Sequence, residues 1–586
     1  MIRTIESDLK SFKTINFLPG LNILLAQKSP NATKLQTRNG AGKTSLLELV
    51  HFLFGARSTP KSIFRKPELK NCKFSMAFEL NGENMVVSRV GSTNQKILLK
   101  GNTQNWPIVP QTNPPKGEVE ISNEDWKKVL GHFLFKLKFE TDADQDFTPT
   151  FRSLFPYFAR RIKDGAFQKP TKFFNQQQTW NEQVAISYLL DLDWNIATDF
   201  QKLKVEIKDT RDLKSIGARG STAYKIGKPA EIRSQIAVKT HDLQQIKSNF
   251  DSFKIVNEYR ELEKEADELT GKIALLGEEN LIDRRSISEN ENSLIEETEP
   301  GEMDLETLYN EAGILIPELI NLRIKTAKEF HRKIISNRKN HLEKEISSAK
   351  NRIKKREKEK TRLDQRRSTI MDILKTGGAL DQYLKLQEEL GRLEGDIQTL
   401  QRELEVAQEL KERETQHKID MNELEKKLSQ DINERSQIVH KAIWTFEELS
   451  KSLYERAGQL IIDSGEKGPK FDVKIEGQSS EGIAKMQIFC FDHMLMDLNS
   501  QMDRSTGFLI HDSHLFDGVD GRQVAKALQI GAQRAEEKKF QYIVTLNSDA
   551  LPIDEFPPDF DIQKYILDVE LTDKTETGGL FGLRFD

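Results

Sequence analysis

Hydrophobic residues recur along this chain with two different periods, and the change of period divides it. Up to about residue 194 the apolar positions form short strand-like runs at Leu21 to Ala26, Phe74 to Leu80, Met85 to Val90 and Lys96 to Leu99. Asn81-Gly82 separates the second run from the third, which predicts a tight hairpin, because both residues tolerate the positive φ such a turn requires. Ser45 to Phe54 carries a helical spacing instead. Further on, Ile255, Tyr259, Leu262, Ala266, Leu269, Ile273 and Leu276 alternate in steps of four and three, as do Tyr383, Leu386, Leu390, Leu393, Ile397, Leu400, Leu404 and Ala407. Such steps lay one apolar seam along each helix, with charged residues elsewhere, and predict coiled-coil packing. Strand-like runs return at Gly507 to His511 and Phe540 to Asn547. The pattern predicts an α/β lobe at each end, 1–194 and 456–586, with a helical hairpin over 195–455 between them.

Two seams in one chain can pair if the chain turns back between them. Pro300-Gly301 through Gly313 and Pro317 is the predicted apex, since proline and glycine end helices. That apex leaves unequal arms, so one further turn-back is expected at Gly377-Gly378, and Gly217 to Pro229 marks another interruption.

At 586 residues the chain is too long for one core and predicts two or three structural units. A charged fraction of 31% against 37% hydrophobic residues is polar for a compact enzyme and suits long solvated helices. The formal net charge of −4 offers no whole-protein attraction for nucleic acid, so a DNA surface would have to be a local patch. Lys350 to Arg367 is one candidate, with ten lysines and arginines against three acids. It reads either as a phosphate-tracking surface or as the solvated face of a coiled-coil arm, whose seam Ala349, Ile353 and Leu363 would mark. Phenylalanine and arginine also interleave at Phe151, Arg152, Phe155, Phe158, Arg160, Arg161 and Phe167. That stretch reads as a core helix with solvated arginines, or as a packed helix leading into a functional loop. Cys72 and Cys490 lie far apart with no C-x-x-C pair, which argues against a disulfide framework and a cysteine zinc site. With no signal pattern and no apolar run long enough to span a bilayer, the expectation is a cytoplasmic chain without a membrane partner.

The chemistry centres on Thr37-Arg38-Asn39-Gly40-Ala41-Gly42-Lys43-Thr44, which follows a strand-like run and opens the helix that begins near Ser45. Apart from Thr37 in place of the first glycine, this is the phosphate-cradling loop of nucleotide triphosphatases. Its glycines let backbone N–H groups approach phosphate, its lysine neutralises the β- and γ-phosphates, and its threonine ligates Mg²⁺. The loop predicts ATP binding by Arg38, Asn39, Gly40, Ala41, Gly42, Lys43, Thr44 and Ser45, and the polar stretch Gln27 to Gln36 is expected to form a flap beside it. Late in the chain, Gly507 to Asp512 is an apolar strand that ends in an acid, the arrangement by which such ATPases hold Mg²⁺.

The order of phosphate loop, helical region and aspartate strand resembles the ATPases related to structural maintenance of chromosomes (SMC), a coiled-coil branch of the ABC class that includes RecN. The resemblance implies an α/β ABC-type ATPase head, formed by the N- and C-terminal lobes and split by a long antiparallel coiled coil, using ATP and Mg²⁺. Ser479-Ser480-Glu481-Gly482-Ile483-Ala484-Lys485 stands where the family has its signature motif. It implies that Ser480 and Gly482 cap ATP held by a second copy, although Glu481 replaces a glycine and would repel phosphate unless it points away. Asp512 matches the Mg²⁺ aspartate, alongside Thr44. The usual catalytic glutamate is replaced by Ser513, a poor base, which leaves the adjacent His514 either as general base or as a packed side chain. Asp520 matches the loop that communicates across the dimer better than Asp517 does, and Asn547 stands at the position of the switch histidine.

Within the branch, Arg38-Asn39-Gly40, Phe151-Arg152-Ser153-Leu154 to Arg160-Arg161, Gly377-Gly378-Ala379-Leu380, Glu481 to Lys485, His511-Asp512-Ser513 and Thr545-Leu546-Asn547 resemble a bacterial group marked by an uncharacterised C-terminal domain. Its members look like ATPase components of multi-gene antiphage or anti-plasmid systems. The resemblance implies a homodimer joined through ATP, an effector partner such as a nuclease, and double-stranded DNA. A scaffold with negligible hydrolysis and a chromosomal DNA-repair ATPase remain as alternatives. No cysteine pair marks a zinc-hooked coil tip.

Overall fold

The structure, a computed structural model, describes residues 1–27, 42–93, 95–113, 118–139, 146–216, 227–251, 257–296, 319–374, 380–454, 458–474, 481–572, 575 and 577–583. The predicted apex at Pro300 to Pro317, the Gly377-Gly378 turn-back, the flap after Gln27, and Ser479 and Ser480 lie outside these residues. So do Thr37, Arg38, Asn39, Gly40 and Ala41. The chain divides into two units, Met1–Leu203 with Met303–Lys325 and Met421–Asp586, and Lys204–Glu302 with Thr326–Asp420.

Among the described residues the first unit contains a large antiparallel sheet, a parallel sheet and a separate antiparallel pair, β9 (Gln459–Asp463) with β10 (Lys470–Lys474). Strands β1 (Ile2–Ser7), β2 (Ile15–Asn16), β4 (Lys73–Leu80), β5 (Glu83–Val90), β6 (Lys96–Lys100), β7 (Gln111–Asn113) and β8 (Glu118–Ser122) form a seven-stranded sheet in the order β2-β1-β4-β5-β6-β8-β7. The β4–β5 hairpin turns at Asn81 and Gly82, with φ of 53° and 78°, as the Asn-Gly pair predicts. The parallel sheet has β3 (Gly20–Gln27), β11 (Phe508–His511), β12 (Gln541–Asn547) and β13 (Leu571–Thr572) in the order β11-β12-β3-β13. Every residue from Leu21 to Ala26 is buried, because β3 is an interior strand covered on both faces. Its register with β12 runs from Gly20 opposite Gln541 to Ala26 opposite Asn547, so segments from opposite ends of the chain form one sheet. The Gln541 amide accepts from Ile2 N and donates to Ile2 O and Leu18 O, tying the two sheets together.

Helix α1 (Lys43–Leu53) buries Leu46, Leu47, Leu49, Val50, Phe52 and Leu53. Helix α11 (Glu481–Gln501) is buried continuously from Met486 to Asn499, and α12 (Gly521–Glu537) links β11 to β12. The Phe/Arg stretch departs from the expected helix with solvated arginines. It forms a short helix, Phe151–Leu154, then 3₁₀ turns at Phe155–Tyr157 and Ile162–Asp164, and Arg152, Arg160 and Arg161 are all buried. Each guanidinium is satisfied by a carbonyl, imidazole or carboxylate, which is what permits the burial. Residue 159 also bridges Ile510 in parallel, so this segment runs along the open edge of β11.

The second unit is helical. Its members include most of α5 (Trp194–Ile216), α6 (Pro229–Asp251), α7 (Asn257–Glu296), most of α8 (Leu319–Leu374) and most of α9 (Leu380–Glu434). Arg366 with Glu265, Arg352 with Asp283 and Lys350 with Glu291 set α7 antiparallel to α8. Ala266 and Leu269 pack on Ile370, Met371 and Leu374, and Ile287 packs on Ile346 and Ala349. The α9 seam approaches α7 in the opposite sense, since Tyr383 and Gln387 reach Asp267 and Arg402 reaches Glu278, which makes α7 and α9 parallel. In turn α6 is antiparallel to α9, through Lys239 with Asp396 and Lys247 with Glu394. The expected pairing of the α7 and α9 seams as antiparallel arms is therefore not what the helices adopt. The described helices α6, α7, α8 and α9 thus alternate in direction, and α7, α8 and α9 share one seam around Ala266, Leu269, Ile370 and Leu384.

Candidate functional site at the carboxyl edge of the parallel sheet

The carboxyl ends of β3, β11 and β12 lie on one edge of the sheet, where parallel α/β folds place ligands. Gly42 precedes α1 with φ of 83°, and a Cβ there would meet Leu580 N at 2.8 Å, so the position requires glycine on both counts. Lys43 and Thr44 then open α1, whose first N–H groups suit an anion. The Lys43 ammonium donates to Asn547 Oδ1 at the end of β12, across 504 positions of sequence. Ser45 follows in the first turn of the same helix.

Asp512 leaves β11 at this edge and is 1% exposed. Its Oδ1 accepts from Ser513 Oγ and from His514 N, each at 3.2 Å, capping the 3₁₀ turn Ser513–Phe516. Burial pushes its carboxyl above the ordinary range, while the His514 N–H, the Ser513 hydroxyl, the Lys43 charge and the Thr44 hydroxyl act the other way. Its Oδ2 is buried and makes no hydrogen bond among the described residues. An orphaned carboxylate oxygen beside a threonine hydroxyl and a lysine is an oxygen donor set that fits Mg²⁺, which takes one or two protein oxygens and fills its shell with phosphate and water. No group of three or more His, Cys, Asp or Glu side chains among the described residues is placed to hold a metal, so the fit rests on Thr44 and Asp512.

Ser513 is buried, donates through Oγ to Asp512 and through N to Thr545 Oγ1 at 3.2 Å, and so serves as a donor that orients the aspartate. His514 is partly exposed, with its ring edge-on to Phe167 at 5.4 Å and Nδ1 2.9 Å from Asp517 Oδ2. That bond is the first cause of a lowered carboxyl pKa at Asp517. With Nδ1–H held by Asp517, Nε2 is the nitrogen left able to accept a proton.

The signature-like segment is described from Glu481 onward. Glu481 turns back along its own helix to pair with Lys485 at 2.8 Å, which holds its carboxyl below the usual range. Lys485 also donates to Asp517 O at 3.0 Å, joining the start of α11 to the His514–Asp517 turn. Gly482 is required locally, since a Cβ would lie 2.8 Å from Gly518 O. Asp520 caps α12, accepting from Arg522 N at 3.0 Å.

Sequence reasoning missed the buried polar network behind this edge. Arg160 grips Asp492 through Nε at 2.7 and 2.9 Å and donates to the carbonyls of Ala166, Pro170 and Lys172. Asp492 in turn meets His511 Nε2 at 3.2 Å, and His511 Nδ1 meets the Tyr542 hydroxyl at 3.0 Å. Burial lowers the His511 pKa and raises that of Tyr542. The network fixes the residue that immediately precedes Asp512. A second group, Arg161 with Asp164 at 2.6 Å and with Glu48 at 3.4 Å, braces α1 one turn beyond Thr44. The available signal was charged residues within strongly apolar runs, which a one-dimensional pattern reads as solvated.

Residues 285–411 match the model of C-terminal domain 10 of the ABC-three component (ABC-3C) systems. Residues 449–585 match an uncharacterised protein conserved in bacteria. These matches bear out the likeness to a bacterial group with an uncharacterised C-terminal domain and to ABC-three component systems. Among solved structures the chain is similar to the Smc head domain with a coiled coil and joint from Pyrococcus yayanosii, at 14% identity over 99% of this chain and 96% of that one, with a TM-score of 0.35. It is also similar to the Smc head domain with an extended coiled coil bound to the C-terminal domain of ScpA from Pyrococcus furiosus, at 13% identity over 94% and 90%, with a TM-score of 0.31. No curated protein matches the chain. No helix among the described residues is long and apolar enough to cross a membrane.

Proposed function

We propose that the chain is an SMC-like ATPase that binds and hydrolyses ATP with Mg²⁺ and dimerises around the nucleotide. In this reading it senses or handles double-stranded DNA and controls a partner effector, a nuclease, in a bacterial antiphage or anti-plasmid system. The observation that carries the reading is the meeting of Lys43, Thr44, Asp512 and Asn547 at one sheet edge, with a buried Asp512 oxygen left without a hydrogen bond. Lys43 would leave Asn547 for the β- and γ-phosphates, and Thr44 and Asp512 would hold Mg²⁺, whose charge offsets that of the phosphates. Arg38, Asn39, Gly40, Ala41, Gly42 and Ser45 complete the loop in this assignment. Ser480 and Gly482 of a second copy cap the nucleotide, with Asp520 at the dimer face. In hydrolysis, water oxygen bonds to the γ-phosphorus as the bond to the ADP oxygen breaks, and the water proton passes to His514 Nε2. The match to ABC-three component systems supports the partner components, and the defence setting follows the resemblance.

Calorimetry tests the foundation. Lys43→Ala should abolish measurable ATP binding, and unchanged affinity would remove the assignment. His514→Ala should keep ATP binding and lose roughly 10²–10⁴-fold in turnover, the range of a positioned general base. A second reading, an ATP-gated scaffold with negligible hydrolysis, is favoured by Ser513 donating to Asp512 rather than acting on water. Turnover that stays negligible with DNA present, yet appears in Ser513→Glu, would select that reading.

A further inference from the structure

The basic stretch of α8 separates into two chemically distinct faces. Three of its arginines reach α7: Arg352 and Arg356 meet Asp283, Arg356 also meets Glu279, and Arg366 meets Glu265. The opposite face, away from the packing residues Leu342, Ile346, Ala349 and Ile353, carries Lys344, Lys354, Lys355 and Lys358. All four are exposed, and none forms an ion pair with a described residue. Between them and along to Gln365 the same face holds exposed hydroxyl and amide side chains, including Ser347, Asn351 and Thr361, and no acid. The acids beside its Lys354 to Gln365 portion are engaged, Glu357 with Arg284 at 3.3 Å, Glu359 with Arg362 at 2.7 Å and Asp364 with Arg367 at 2.7 Å, whereas Glu343 and Glu345 flank Lys344 as exposed acids. A chain with a net charge of −4 thus presents a straight cationic stripe. At 1.5 Å per residue, Lys344 to Gln365 spans about 31 Å, close to one turn of duplex.

We propose that this lysine face of α8 is the surface on which the protein binds the phosphate backbone of double-stranded DNA, without reading sequence. Lysines separated by hydroxyl and amide donors suit phosphate oxygens, which position a protein but carry no sequence information. The face bears no aromatic side chain on which an unpaired base could stack, which favours a duplex over a single strand. The three arginines that reach α7 hold α8 in register, so the lysines act as a fixed row rather than as independent tethers. The choice of DNA as the polyanion rests on the proposed function, while the location of the surface rests on the structure alone.

The test is fluorescence anisotropy of the full chain, with and without ATP, on a labelled 30-base-pair DNA duplex across about 50–200 mM salt. Lys354→Ala/Lys355→Ala/Lys358→Ala should weaken binding on the order of 10²-fold near 100 mM salt, and the slope of log affinity against log salt should shrink by about 3. A charge-matched control, Lys411→Ala/Lys418→Ala/Lys426→Ala on exposed positions of α9, should bind as the parent does. Circular dichroism should show parental helicity in both triple variants. Unchanged affinity and slope in the α8 variant would overturn the proposal, as would an equal loss in the control or tighter binding of a single strand of the same length. Failure of the ATPase reading is separable: unchanged ATP affinity in Lys43→Ala removes that reading, while loss of duplex binding confined to the α8 lysine variant leaves the surface standing.

Discussion

In the α/β unit, Arg160 and Asp492 are both wholly buried and satisfied by each other and by backbone carbonyls, whereas in the helical unit Arg366 and Glu265 pair with 57% and 41% of their side chains exposed. The contrast reflects what each unit must fix. A sheet edge that gathers Lys43, Asp512 and Asn547 from distant parts of the chain needs rigid support, and a charge taken out of water holds its partner strongly because neither has an alternative. Long helices that meet along seams need only the right register, which exposed pairs and a few half-buried contacts can select. Tyr383 and Gln387 on Asp267 are such contacts: burial raises that carboxyl, and the two hydrogen bonds act the other way.

The largest expected effect would break the helical side of the contrast. Leu269→Asp with Leu393→Asp places two carboxylates in packed seams and should cost more than about 4 kcal/mol of helical-unit stability. Circular dichroism should show lost helix while calorimetry shows retained ATP binding. Loss of ATP binding in a double variant that stays soluble and helical would show that the two regions are not separable in this way.

Arg160→Met probes the other side. It strands Asp492 as a buried charge and should destabilise the α/β unit by about 3–5 kcal/mol in denaturant titration. Arg160→Met combined with Asp492→Leu should recover much of that loss, and a single variant as stable as the parent would erase the distinction between the units.

A smaller effect sharpens the link between strain and function. Because burial raises the Asp512 carboxyl above its unfolded value, its contribution to stability is fully present below the unfolded pKa and is lost as pH rises through the folded one. Asp512→Asn should therefore melt higher than the parent at neutral pH without Mg²⁺, flatten the pH dependence over that window, and lose Mg²⁺-dependent turnover. A lower melting temperature at neutral pH would contradict this origin of the shift. The smallest effect belongs to Arg366→Ala, whose exposed pair should contribute less than about 1 kcal/mol in thermal melts. A larger loss would show that this ion pair behaves like those of the α/β unit.

The sequence by itself determined what depends on neighbours along the chain. Asn81-Gly82 sets the hairpin because positive φ is a local cost. Leu21 to Ala26 reads as a strand because an interior strand is apolar throughout, and the four-three spacing announces seams because helical geometry repeats. The candidate residues at the sheet edge were also legible, as motif fragments with a fixed order. Only the tertiary structure decided which groups meet. It set α7 parallel to α9 and antiparallel to α8, because an apolar seam states that a helix needs a partner and not which one or in which direction. It buried Arg152, Arg160 and Arg161, since whether a charge can leave water depends on carboxylates and carbonyls that the sequence places far away. It also brought Lys43 to Asn547, a contact that exists because β3 and β12 are paired strands, and strand pairing across hundreds of residues leaves no local mark on either.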